Sequence, residues 1–442
     1  MSNSRTRFPI EVQGNARLPL GLTPERFLRD YWQKRPLLIR NAFANFVSPL
    51  SADDLAGLAC MEGALARIVL RRNAISSSFR GRAQRGTMGL LAMDGNSARR
   101  RASAKADSRS RLCGVRNDGK WKVLNGPFSE SDFAKLPQSQ WTLLVQDVDK
   151  WDDDVAALLD SFGFLPRWRI DDVMVSYATD GGGVGAHVDQ YDVFLLQGEG
   201  RRRWRINTDP RASHEFRDDV ELKLLREFHP TREWTLDPGD MLYLPPGVPH
   251  DGTAIGECMT FSIGMRAPSG AELLVAFAEQ VAAGLPESQR YADPDLRPAN
   301  ESGEIDDAAL RRARTALGPI AQRMDAETFA DFFGRFITAY RSGHVAMPPK
   351  RKTNAVKLAV ELQHSVFRRH PWSRFAWRQA GRGAILYVSG EQYACPLAWA
   401  RALCGREPTL DGARLAKLPS RSAGVTLLTD LLNAGDLSRR GR

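Results

Sequence analysis

Cysteine is scarce in this sequence: Cys60, Cys113, Cys258, Cys395 and Cys404 are scattered over 442 residues, and no Cys-x-x-Cys pair occurs. That spacing excludes a disulfide framework and a cysteine-built zinc site, and it fits a reducing, cytoplasmic setting. Long apolar runs are missing too. None approaches the ~20 residues that a membrane span requires, so no membrane helix is expected. The opening stretch MSNSRTRFPIEVQGNARLPL lacks the apolar core of a secretory signal and is not expected to act as one.

What is present is ordinary for a globular protein: 43% hydrophobic and 26% charged residues, in a chain long enough for two or three domains. The net charge is +10, which by itself would suggest a nucleic-acid partner. Residues 71–116, however, hold eleven Arg and Lys105 against only Asp94 and Asp107, a local balance of +10. The rest of the chain is then neutral, with 50 basic and 50 acidic residues. Rich in Arg, Ser, Ala and Gly and without periodicity, 71–116 reads as a disordered insertion, most simply a solvated loop. If the chain touches RNA, this is the segment expected to do so.

Around the insertion the pattern is regular. LTPERFLRDYWQ places Phe27, Leu28 and Trp32 at helical spacing behind a Thr23 cap and Pro24. KRPLLIR reads as a short strand and SADDLAGLAC as a second capped helix. From 121 to 266 short β-rich runs follow one another: WTLLVQDV, WRIDDVMVSYA, YDVFLLQ, RRRWRI, MLYLPP and CMTFSIGM. No helix-length segment interrupts them after 168, so an antiparallel sandwich or jelly roll is expected rather than βαβ units. Helical periodicity returns over 269–345, HVAMPPK marks a linker, and a small α+β domain closes the chain. In that last domain a helix is expected over AVKLAVELQHSVF, short strands over AILYVSG and EQYACP, and a closing helix over GVTLLTDLLNAG.

Two segments carry chemistry. In GGGVGAHVDQYDVF, His187 and Asp189 stand two apart on extended chain, so their side chains leave one face. In DPGDMLYLPPGVPH, the turn at Pro245, Pro246 and Gly247 delivers His250 to the start of a strand. Two imidazoles and a carboxylate on one wall of a barrel suit ferrous iron, because they leave positions open for a chelating cosubstrate and dioxygen. A His-x-Asp pair alone would be weak. Its strength here comes from the Gly-rich turn before it and the Pro-Pro-Gly turn before the third ligand. His214, His229, His344, His364 and His370 lack such context and read as surface or structural residues.

YWQKRP, DGKWKVLNGPF, PRWRIDDVMVSY, GGGVGAHVDQYDVFLLQGEGRRRWRI and LYLPPGVPH resemble the bacterial ribosomal oxygenases. These are JmjC-type enzymes that hydroxylate an arginine of the large-subunit ribosomal protein L-sixteen. The likeness covers nearly all of the chain outside 71–116, more loosely over the last ninety residues. It implies a mixed α/β (α+β) protein with three parts. A double-stranded β-helix (jelly-roll, cupin/JmjC) catalytic domain would span 1–267, a helical dimerisation domain 268–345, and a C-terminal winged-helix-like domain 350–442. The implied cofactors are Fe(II), 2-oxoglutarate and O2. The implied partners are a ribosomal protein substrate and a second copy of the chain.

In RRRWRI, alternation sets Arg202 apart from its neighbours. It falls where the family binds the far carboxylate of 2-oxoglutarate, while Arg201 and Arg203 read as guards of an edge strand. Ser176 is a candidate hydrogen-bond partner of the cosubstrate. The family's arginine pocket falls on Asp172, Met174, Tyr191 and Ser262. An inward carboxylate at Asp172 would pair a substrate guanidinium; the plainer alternative is a salt bridge within the chain, for example to Arg169. Three rivals stand beside this reading. They are a JmjC hydroxylase or demethylase acting on histidine or methyl-lysine, a metal-binding jelly roll with isomerase chemistry, and a non-catalytic RNA- or ribosome-binding factor. The C-terminal domain is not expected to read nucleic acid, since its helices offer few well-placed basic residues.

Overall fold

Cap chemistry decides where the helices begin. In the computed structural model, residues 8–71 and 121–440 are described, except 16, 289, 295, 297–304, 323, 324 and 341–344. The basic insertion thus lies outside the described residues from 72 onward. The chain forms two units, one of Met1–Phe164 with Asp171–Met265, the other of Leu165–Ile170 with Arg266–Arg442.

In the first unit, β1 (Glu11–Gln13) pairs in parallel with β2 (Leu37–Arg40). Between them the Thr23 side chain accepts the Arg26 amide and starts α1 (Pro24–Asp30), with Pro24 where no amide donor is needed. Phe27 of α1 is fully buried and packs edge-on to Tyr243, ring centroids 4.9 Å apart. A reciprocal capping box of Ser51 and Asp54 starts α2 (Ala52–Ala59). Then come β3 (Ala66–Arg71), β4 (Trp121–Asn125), α3 (Glu130–Phe133), β5 (Trp141–Val145), α4 (Val148–Trp151), α5 (Asp153–Ala157) and β6 (Ile170–Ala178).

The strands expected separately over YDVFLLQ and RRRWRI are one element, β7 (Val193–Ile206). Its middle passes Gly200, at φ +59°, where a side chain would collide with the Glu257 carbonyl. The partner β10 (His250–Met265) shifts register between Ile255 and Met259, so the glycine marks a bulge and not an end. β8 (Arg232–Leu236) and β9 (Met241–Leu244) complete the set. Among the described residues ten strands join in the order β1-β2-β9-β7-β10-β6-β5-β3-β4, with β8 on β7. This is the jelly roll expected from the strand-rich pattern. One expectation needs correcting. β7 is flanked by β10 on one side and by β8 and β9 on the other, so Arg201 and Arg203 guard no edge. Val193, Leu195, Trp204, Ile206, Leu236 and Leu242 form a buried apolar cluster about these strands.

The second unit begins with α6 (Gly270–Ala283), opened by a Ser269–Glu272 capping box, then α7 (Asp307–Gln322) and α8 (Ala326–Thr338) behind an Asp325 cap. Phe277 and Val281 of α6 and Phe332 of α8 form a shared core. The single helix expected over 355–367 breaks up. It is α9 (Ala355–Glu361), a 3-10 turn (Leu362–His364) and β11 (Val366–Arg369), whose valine and phenylalanine enter a sheet. β12 (Phe375–Ala380), β13 (Gly383–Val388) and β14 (Glu391–Cys395) form one antiparallel sheet. After α10 (Leu397–Leu403), the strand β15 (Thr409–Asp411), the helices α11 (Gly412–Leu415) and α12 (Arg421–Ala434), and β16 (Leu437–Arg440) end the fold. β15, β11 and β16 make the second small sheet, over a core that includes Trp399, Leu428 and Leu431.

Candidate metal centre

His187 and Asp189 lie on the segment between β6 and β7, and His250 opens β10. The Gly-rich turn brings them together. Gly185 holds φ +82°, and a Cβ there would stand 2.9 Å from Leu224 and 3.0 Å from Trp121, so glycine lets the chain pass under both. Just beyond, the amides and carbonyls of His187 and His250 bond reciprocally at 3.0 Å. The Gly247 amide donates to the Asp189 carbonyl at 2.8 Å, tying the Pro-Pro-Gly turn to the His-x-Asp segment.

The side chains converge accordingly. Nε2 of His187 is 3.9 Å from Oδ1 of Asp189, and Nε2 of His250 is 3.6 Å from Oδ2. The three donor atoms lie within 4.8 Å of one another, the one such gathering of His, Cys, Asp or Glu among the described residues. Nδ1 of each imidazole sits 2.9 Å from a backbone carbonyl, Gly185 for His187 and Val248 for His250. A carbonyl accepts only, so both Nδ1 atoms carry the proton and both Nε2 lone pairs face the common point. Burial, with His187 beside it, pushes the buried His250 down to about 4 and keeps it neutral near pH 7. Two imidazole nitrogens and a carboxylate form a donor set that fits a divalent transition metal.

Arg202 is buried, and one of its terminal nitrogens donates to Ser176 Oγ and Thr260 Oγ1, both at 3.1 Å. Its Nε has no hydrogen-bond partner, and no acid pairs with it among the described residues. A buried guanidinium without a counter-ion costs several kcal/mol, so a carboxylate ligand fits the place. Sequence reasoning missed the support behind it. Thr260 donates to Oε1 of fully buried Gln197 at 3.1 Å, and Gln197 in turn bonds the Glu199 carbonyl at 2.8 Å. The signal was a glutamine closing the otherwise apolar run VFLLQ. Ser176 Oγ accepts from Arg202 and donates to the Thr260 carbonyl at 3.5 Å.

Asp172 lies on β6 next to β10, where it would meet a Cβ added at Gly264 at 3.3 Å. Its Oδ2 accepts the Asp147 amide at 3.1 Å. Burial first, then the charges of Asp147, Asp149 and Asp171, push its carboxyl up to about 7. No Arg or Lys pairs with it among the described residues, so the internal salt bridge weighed above does not form. Lys150 is engaged by Asp149. Tyr191 retains an exposed edge while its hydroxyl is held well above the usual range, by burial and by Asp189 and Asp172 beside it. Ser262 is buried on β10 and Met174 half-buried on β6, two strands adjacent in the sheet.

Comparison with known proteins gives consistent matches. The chain matches the JmjC domain family over residues 157–273 and the ROXA-like winged helix family over 321–438. It is 34% identical over 324 residues to the "Ribosomal protein uL16 3-hydroxylase" of Escherichia coli, covering 73% of this chain and 74% of that one. It is 36% identical over 280 residues to a "Probable ribosomal oxygenase" of Haemophilus influenzae, covering 63% and 56%. Among solved structures, Escherichia coli YcfD superposes with a TM-score of 0.72 at 31% identity, covering 95% of this chain and 99% of that one. A YcfD complex with cobalt and 2-oxoglutarate superposes at 0.70 with 31% identity, covering 96% and 99%.

Proposed function

The chain belongs to the ribosomal oxygenase family of JmjC enzymes, and from that premise we propose that it hydroxylates an arginine side chain of a large-subunit ribosomal protein at the β-carbon. It is a 2-oxoglutarate-dependent dioxygenase using Fe(II), 2-oxoglutarate and O2. One observation carries the reading: three metal-type donors converge in the same barrel as a buried arginine that has no acid partner among the described residues.

His187, Asp189 and His250 would hold the iron through two imidazole Nε2 atoms and one carboxylate. When bound, iron and 2-oxoglutarate together supply an oxidant able to functionalise a C–H bond. The chain's own residues orient and exclude. The Gly185 and Val248 carbonyls engage both Nδ1 atoms, so each ring is oriented with Nε2 toward the metal position. Arg202 would take the far carboxylate of 2-oxoglutarate on the side of its guanidinium not used by Ser176 and Thr260. Gln197 holds Thr260, so the acceptor beneath Arg202 does not rotate away.

The arginine target rests on Asp172. A carboxyl raised to about 7 by burial and by neighbouring acids, with no Arg or Lys paired to it among the described residues, gains most from a permanent cation with a flat, two-pronged donor face. Met174, Tyr191 and Ser262 would complete the pocket, the Tyr191 ring lying against the guanidinium stem. A histidine target leaves the acid cluster without a full counter-charge. Mass spectrometry of the ribosomal protein after incubation with enzyme, iron and 2-oxoglutarate tests the assignment. The expected product gains one oxygen atom on one arginine; oxygen on a histidine, or a methyl group lost from lysine, would replace this reading with the competing one.

A homodimer through the helical segment belongs to the same proposal. Leu274 and Val275 of α6 and Leu310 and Leu317 of α7 are at least half exposed, an apolar surface that a second copy would cover. A Leu317→Glu chain that still sediments as a dimer would count against this.

A further inference from the structure

The neutrality of the chain outside 71–116 conceals two opposite charges. Residues 350–442 carry 17 Lys and Arg against six Asp and Glu, a balance of +11. The remainder, 1–70 with 117–349, carries 33 basic against 44 acidic residues, a balance of −11. The C-terminal domain is therefore the strongly basic part of the described chain. The reading that its helices offer few well-placed basic residues has to be revised.

The fold gathers part of this charge along one ridge. The Thr353 amide donates to Asn433 at 2.7 Å, which sets the Lys-Arg-Lys triplet at 350–352 beside the C-terminal end of α12. Arg421, at the other end of α12, donates to the Ala359 carbonyl of α9 at 2.7 Å. α9 thus runs back along α12, a ridge of about 21 Å for 14 residues. Lys357 lies on α9, and Lys417 on the turn leading into α12. All of these side chains are exposed. Two exposed or half-buried acids interrupt them, Asp430 on α12 and Glu361, the latter already shared by Lys357 and Arg439.

We propose that this ridge is an RNA-docking surface, contacting phosphates through residues 350–352, Lys357, Lys417 and Arg421. Charge complementarity selects a polyanion. The choice of RNA among polyanions rests on the ribosomal-protein reading above, because such a substrate is met among RNA phosphates. Lys and Arg spaced along a ridge suit backbone contact and not base reading. The acidic balance of the remaining chain suits a cationic protein substrate, so the two charges sort the two components of a ribonucleoprotein.

The test uses the full chain and a short fluorescein-labelled RNA hairpin, followed by anisotropy over a salt series. Wild type should bind with affinity that falls steeply with salt. Arg351→Glu/Lys357→Glu/Lys417→Glu should weaken binding at least about tenfold at low salt and flatten the salt slope by about three contacts. Hydroxylation of an isolated peptide substrate should stay unchanged, which also reports that the variant is folded. Lys357→Arg should bind as wild type does. The proposal is overturned if the triple variant binds RNA normally. It is equally overturned if deleting 71–116 alone removes all binding, or if wild type ignores the hairpin and binds anionic lipid vesicles. Because peptide hydroxylation is read separately, loss of RNA binding and failure of the proposed activity are distinguishable.

Discussion

At Asp172 the local chemistry sets function against stability. Its carboxyl is raised from 3.8 to about 7 by burial and by three neighbouring carboxylates. Between those pH values the native chain holds a proton that the unfolded chain has released. The group therefore favours the fold at low pH, and that contribution is lost as pH rises through 7. A substrate guanidinium binds the ionised form and would draw the pKa back down. Two outcomes are expected. The KM for a peptide substrate falls as pH rises through about 7, measured at saturating 2-oxoglutarate. Asp172→Asn raises the melting temperature at pH 8 but not at pH 5, while lowering kcat/KM roughly 10- to 100-fold through loss of a charge-assisted hydrogen bond. A variant that keeps full kcat/KM would remove Asp172 from the pocket. The three donors were legible in the sequence because turn chemistry flanked each of them. Gln197 and Thr260 were not, because their role depends on which neighbours a bulged strand pair brings opposite them.

Among the elements, the turn before the His-x-Asp segment does the positioning. Gly185 supplies both a left-handed backbone and the carbonyl that fixes the His187 tautomer. Gly185→Ala is expected to fold, since the strain is of the order of 1–3 kcal/mol. It should weaken metal binding about tenfold or more by turning the carbonyl away from Nδ1; calorimetric titration with Mn(II) reads this directly, and unchanged affinity would contradict it. Capped helices were readable from Thr23 and Ser51, each followed by a compatible first turn. Strand limits were less so. Gly198 and Gly200 look like a break between two strands, yet they carry one strand through a bulge. The stretch after Glu361 keeps helical periodicity, but Val366 and Phe367 leave it to pair with β15 and β16. Such pairings join residues some 40 to 70 positions apart, beyond what local pattern can register.

For the molecule as a whole, net charge misled where its distribution did not. The value of +10 is the sum of a basic insertion, a basic C-terminal domain and an acidic remainder. Domain by domain, those signs match a polyanion and a cationic protein, the two materials of a ribosome. The jelly roll holds the donors on strands and adjoining turns and places the apolar cluster about them, so the site's geometry belongs to the sheet and not to a mobile loop. The most direct measurement is an anaerobic titration of the metal-free protein with Fe(II) and 2-oxoglutarate, followed by the charge-transfer absorption of the chelate. Wild type should develop the band at one iron per chain. Asp189→Ala and His250→Ala should lack it, and Arg202→Leu should need far more 2-oxoglutarate. Undiminished absorption in either ligand variant would contradict the assignment of His187, Asp189 and His250 to a single iron.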